Sequence, residues 1–139
     1  MPNLASLRMQ STIASILKAH RLFTDFTTCE EFHVKIEHSP YMPLTIERHG
    51  PQVIVAHYFK QNGDLVPDPD MEFELGPDSL WYPVAIQFAI GTYRRCFYET
   101  PSGQSVINQR ERLGQRRFSD MWARNLNAQG FDKGSPQKR

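Results

Sequence analysis

Cysteine is almost missing from this chain. Its two, Cys29 and Cys96, are too few and too far apart for a disulfide framework or a metal knuckle. Nothing demands an oxidising compartment, and a reducing cytoplasm is the expected setting. Long apolar runs are missing too. None approaches the ~18 residues of a membrane span. The richest, LWYPVAIQFAIGTY, is interrupted by Pro83, Gln87 and Gly91 and reads as buried sheet. The opening MPNLASLRMQSTIASILKAH lacks both an uninterrupted apolar core and a small-residue cleavage site, so no secretory leader is expected. There is no GxSxG nucleophile elbow and no GxxxxGK[ST] phosphate loop. His33, His38 and His49 show neither HxH nor HExxH spacing, and each reads as a structural histidine. No helix-turn-helix spacing, zinc finger or aromatic RNA-binding stretch occurs. No cofactor and no metal are expected, and no contact with a membrane.

What is present suits one ordinary domain. The 139 residues are 40% hydrophobic and 12% aromatic, enough to build a core without staples. The net charge is only +1, but it is unevenly spread. Residues 104–139 hold eight basic and three acidic side chains, whereas residues 1–103 hold eight and twelve. An acidic body thus carries a basic C-terminal segment, an asymmetry that suits either a polyanion or attraction within one fold.

The chain reads as α+β. Residues 4–22 predict a helix, with Met9, Ile13, Ile16, Leu17 and His20 on one stripe and Asn3 as N-cap. Residues 23–30 read as a loop. In EFHVKIEH, Phe32, Val34 and Ile36 point one way and the polar residues the other. LTIER alternates again, and VIVAHYFKQ reads as a strand covered on both faces. Asn62-Gly63 is a strong two-residue hairpin turn; Pro67 and Pro69 then limit regular pairing. LWYPVAIQF and GTYRRCFYE predict two more strands. Residues 104–129 predict a second helix, with Ile107, Gly114, Phe118, Met121, Trp122, Asn125 and Gln129 on its stripe and Gly130 as its stop. The expected fold is an antiparallel meander of about five to six strands flanked by an N-terminal and a C-terminal helix. Residues 1–131 form the domain, and 132–139 form a flexible basic tail.

Two stretches, AHYFKQNGDLVPDPDMEFE and MWARNLNAQGF, stand out, joined by WYPVAIQ. With them the chain resembles an uncharacterised family of small bacterial proteins found on plasmids, integrative elements and phages. The resemblance runs from about Leu44 to Phe131. It implies a single domain of bacterial or mobile-element origin and supplies no reaction.

The hairpin is the first candidate site. A strict two-residue turn pairs His57 with Asp68 and puts His57, Asp64, Asp68, Asp70 and Glu72 on one face. Ile54, Ala56, Tyr58, Leu65, Met71 and Phe73 then share the core face. A histidine beside carboxylates suits a general base, and dense oxygen ligands suit a hard cation, although the spacing matches no calcium loop. The simpler account is a solvated face with turn-forming aspartates. The same residues would also serve to dock a partner. The basic helix is the second candidate: Arg110, Arg112, Arg116, Arg117 and Arg124 would lie along a nucleic-acid backbone, or simply form a solvated face. On the same C-terminal helix, Trp122 and Phe118 read as anchors of helix to sheet, with Asn125 and Gln129 as hydrogen-bonding neighbours.

The leading expectation is a small non-catalytic protein that binds another protein, a role that on a phage or plasmid would fit inhibition of a host defence complex. A nucleic-acid-binding accessory factor is the alternative. A metal-dependent enzyme using His57, Asp64, Asp68 and Asp70 comes third.

Overall fold

The first helix follows its stripe. Met9, Ile13, Ile16 and Leu17 recur at three and four residues and are all buried. In the computed structural model, which describes residues 4–138, this helix is α1 (Leu7–Ala19). Ser6 precedes it as N-cap; Asn3, the expected cap, lies outside the described residues. Arg21, at φ 61°, turns the chain into a short helix, α2 (Phe23–Thr28), where the sequence suggested a loop. Its one buried residue, Phe26, packs edge-on against Phe32 at 5.4 Å, and that contact fixes a turn too short to stand alone.

A meander follows: β1 (Glu31–His38), β2 (Tyr41–His49), β3 (Gln52–Gln61), β4 (Asp64–Leu75), β5 (Trp81–Gln87) and β6 (Tyr93–Arg95). The expected strand over GTYRRCFYE is split. Cys96, fully buried, ends β6, and β7 (Phe97–Glu99) leaves the main sheet to pair with β8 (Ser105–Ile107). Helix α3 (Gln109–Gln129) begins at Asn108, whose side chain accepts a hydrogen bond from the Glu111 amide. It stops at Gly130 in the left-handed region, φ 76°.

The C-terminal segment is not a loose tail. After a 3₁₀ turn (Phe131–Lys133), β9 (Ser135–Lys138) pairs antiparallel with β1. The fully buried Phe131 anchors this return, and the free edge of β1 gains a ladder. The order across the sheet is therefore β6-β5-β4-β3-β2-β1-β9, seven strands in all.

The core lies between the helices and one sheet face. Ile13, Leu17, Trp122 and Leu126 from the helices meet Val34, Ile46, Val55 and Phe73 from the strands. The α3 stripe differs from the expected one. Its buried positions are Arg112, Gln115, Ser119, Trp122, Ala123 and Leu126. Three of these are polar and hydrogen-bonded, so hydropathy did not reveal them: Ser119 bonds Ser6 at 2.9 Å, for example. Gly114, Phe118, Met121, Asn125 and Gln129 lie one step round the helix, at the edge of the core.

Candidate functional site: the cleft between α3 and the β3–β4 hairpin

The hairpin starts as its turn residues dictate. Asn62 and Gly63 both have positive φ, 54° and 86°, as a primed turn requires. Gln61–Asp64, Lys60–Leu65, Phe59–Val66 and Tyr58–Pro67 pair in strict succession. The register then shifts: the next pair is Ala56–Asp70. Asp68 and Pro69 together stand opposite His57, a bulge of one extra residue in β4. Because side chains alternate with period two, that residue reverses the faces of everything beyond it.

The single acidic face expected from the sequence is thereby divided. His57 turns to the helix side, where its ring lies 5.5 Å from Trp122 and 5.7 Å from Phe131. Met71 and Phe73 share that side with Val55 and Val53. Asp70 and Glu72 sit on the opposite face with Ala56 and Ile54. There Tyr58 donates a 2.8 Å hydrogen bond to Asp70. Burial raises the Asp70 pKa, and the charges of Glu72 and Glu47 add to it. Gln52 donates to Glu72 at 3.3 Å. Asp64 is exposed beside the turn. Ile54, Ala56 and Tyr58, assigned to the core face, lie on the open one, and Leu65 is 65% exposed. Residues on opposite faces of a sheet cannot ligate one ion. Among the described residues no three His, Cys, Asp or Glu side chains gather as ligands would.

His57 and Asp68 stay together. Burial lowers the His57 pKa; the Pro43 and Met42 carbonyls and the Asp68 charge oppose it. With Nδ1 donating to the Pro43 carbonyl at 3.1 Å, the neutral ring is held in one orientation. Asp68 accepts from the Ala89 amide at 3.4 Å. These two residues and Pro69 form one wall of a cleft of about 330 Å³. Trp122, Met121, Asn125 and Gln129 of α3 form the other, with Tyr41 and Met42 at the end. The two stretches that stood out in the sequence meet here. An adjoining hollow of about 360 Å³ continues along α3 towards Arg110 and Gly114. The edge-on pair Phe88–Phe118, 5.3 Å apart, belongs to both.

Two carboxamide oxygens mark this trough. Oε1 of Gln115 and Oε1 of Gln129 are buried without a hydrogen-bond partner, and each residue lines one of the hollows. The walls thus offer aromatic surface, side-chain amides, one imidazole and one carboxylate, a set suited to recognition. Of these, Phe118, Trp122, Asn125 and Gln129 were legible only as a packing stripe. Tyr41, Met42 and Phe88 gave no sequence signal, because only the bulge and the β5–β6 connection bring them to the cleft.

The five arginines also separate. Arg112 is buried; it donates to the Pro83 carbonyl at 2.9 Å and to Glu74 at 3.0 Å, and its guanidinium lies over the Tyr82 and Phe97 rings. Arg116 pairs with Asp120 at 3.3 Å. Arg110, Arg117 and Arg124 are exposed.

No helix among the described residues is long and apolar enough to cross a membrane. Neither a curated protein nor a solved structure matches the chain. A family model does match, over residues 11–132, that of a domain of unknown function, DUF6908. That span takes in the meander, the bulge and the whole of α3, and the chain belongs to the DUF6908 family.

Proposed function

We propose that this is a small non-catalytic binding protein that receives an extended segment of another protein in the trough beside α3. The observation that carries the reading is the aromatic floor of the trough, the edge-on Phe88–Phe118 pair shared by its two hollows. A peptide's apolar side chains cover those rings, and its backbone meets the exposed Asn125 amide at the rim. From Arg110 to Gln129 the helix is ~28 Å long, room for about eight extended residues. Asp68 at one end and Arg110 at the other, with no ion-pair partner among the described residues, favour a segment carrying opposite charges at its ends. A bacterial plasmid or phage setting, with a host defence complex as target, belongs to the same proposal, as does a cytoplasmic location.

A photo-crosslinking residue in place of Met121, which is 48% exposed at the cleft, tests it. Crosslinks to a polypeptide from that position, and none from the exposed Thr28 at the end of α2, are expected. Crosslinks equally strong from both positions, or from neither, would count against the trough.

The second reading, a nucleic-acid accessory factor, rests on Arg110, Arg117 and Arg124. Their seven-residue spacing keeps them along one line of α3, about 10.5 Å apart. Binding of this kind would weaken steeply with salt and with charge reversal at all three. A mobility shift that is absent even at low salt removes it.

A further inference from the structure

The sheet face turned away from the helices carries a second hollow, larger than either part of the trough, at about 580 Å³. Its size lies within the usual range of small-ligand sites, about 300–1,000 Å³. It lies across the middle of β1 and β2 and reaches the turn end of the β3–β4 hairpin. Thr45 lies in its lining, and the Thr45 hydroxyl is already committed to the Ala56 carbonyl at 3.3 Å. Met42, Pro43, Phe59 and Leu65 supply apolar surface; Leu65, at 65% exposed, has nothing to pack on.

The charges in this hollow are unbalanced in one direction. Lys35, Lys60 and Glu47 line it. Glu47 is already engaged by His49, 3.2 Å away. Lys35 pairs with Glu37 at 3.4 Å, and both side chains are open to solvent. Lys60 has no ion pair among the described residues. Tyr58, also in the lining, donates a hydrogen bond from its hydroxyl to Asp70, which keeps that carboxylate occupied. His33, opposite Glu47 in the β1–β2 ladder, lines the same hollow. A group that both lysines attract and that accepts hydrogen bonds from their ammonium groups is an oxyanion.

We infer that this hollow binds a small amphipathic organic anion: a flat apolar ring or short ring system bearing one carboxylate or similar oxyanion. The ring lies against Met42, Phe59 and Leu65, and the anion lies within reach of Lys35, Lys60 and His33. The hollow and the trough lie on opposite faces of the sheet, with Met42 common to both linings.

Naphthoate and its uncharged analogue naphthylmethanol are the probes. Calorimetric titration of the full chain is expected to give saturable binding of naphthoate, at least about tenfold tighter than naphthylmethanol. Addition of naphthoate is expected to move the NMR signals of the His33 ring and leave in place those of His20, which bonds the Phe131 carbonyl on the helix side of the sheet. The Lys35→Glu, Lys60→Glu double variant is expected to lose at least about tenfold in naphthoate affinity, and the trough variant Met121→Ser is expected to lose none. The neutral analogue keeps the test open should the double variant fold poorly. Equal affinity for both probes, no saturation, or a response at His20 in place of His33 would overturn the assignment.

Discussion

Asp68 lies across the β3–β4 ladder from His57, one residue out of step with the pairing that resumes at Ala56 and Asp70. This single insertion decides which side chains are core. Beyond it, Met71 and Phe73 face the helices and are fully buried, while Asp70 and Glu72 face away. Were Asp68 and Pro69 each to take a pairing position, strict alternation would turn two carboxylates towards the helices and leave two large apolar residues in water.

Deleting Pro69 would remove the extra residue. Asp68 alone would then stand opposite His57, and Ala56–Asp70 and the pairs beyond would keep their faces in a ladder without a bulge. The deletion variant is expected to keep a cooperative thermal transition by circular dichroism, because Met71 and Phe73 stay in the core. Loss of that transition would mean that the extra residue does more than reset the alternation.

The turn itself is tested at Gly63. Its φ of 86° suits glycine, and a Cβ added there would meet nothing within 4 Å. The penalty for Gly63→Val is therefore pure backbone strain, about 1–2 kcal/mol. Urea denaturation should register that loss with an unchanged slope. An unaltered midpoint would contradict the positive φ.

Arg112 and the outer arginines should behave differently. The Arg112 side chain is 6% exposed and bridges β5 and Glu74. Arg112→Ala is expected to destabilise by about 2–4 kcal/mol, since it strips a buried carbonyl of its donor and removes a charge partner. Arg117→Ala and Arg124→Ala are expected to stay within about 0.5 kcal/mol. Comparable losses at all three would show that Arg112 is not the structural member of the set.

His57 makes stability depend on pH in a defined direction. Its pKa is lowered by burial from an ordinary 6.5, so the unfolded chain takes up the proton first. The full contribution is present above pH 6.5. It falls as pH drops through that value and levels off below the folded pKa. His49, raised mainly by its hydrogen bond to Glu31, works the opposite way: its contribution is present below 6.5 and fades as pH rises through the folded pKa. His49 is far more exposed, and its effect is the weaker. Melting temperatures between pH 7 and pH 5 should fall, and the fall should be shallower in His57→Gln. An equally steep fall in that variant would contradict the buried neutral ring.

Much of the fold was legible because its signals are local. The α1 stripe, the alternation in β1, the Asn62-Gly63 turn and the Gly130 stop each depend on neighbours in sequence. The misreadings came where tertiary contact decides. Pro69 announced an interruption of pairing, but not that one residue would be absorbed and the faces exchanged. Arg112, Gln115 and Ser119 are buried because Pro83, Arg94 and Ser6 supply partners from distant segments. SPQK has no strand pattern of its own and becomes β9 only because Phe131 returns it to β1. The cleft was half visible: its two walls stood out as stretches, but nothing in either indicated that they face each other.

The most direct test of the binding proposal is selection of random peptides against the full chain, followed by calorimetry of those enriched. Peptides that bind with micromolar affinity are expected, each contributing apolar or aromatic residues. Their affinity should drop at least about tenfold in Asn125→Trp, which fills the cleft from an exposed position on α3, and stay unchanged in Lys35→Glu on the far sheet face. Failure to enrich any peptide, or peptides that bind Asn125→Trp as tightly as the parent, would contradict the trough as a protein-binding site.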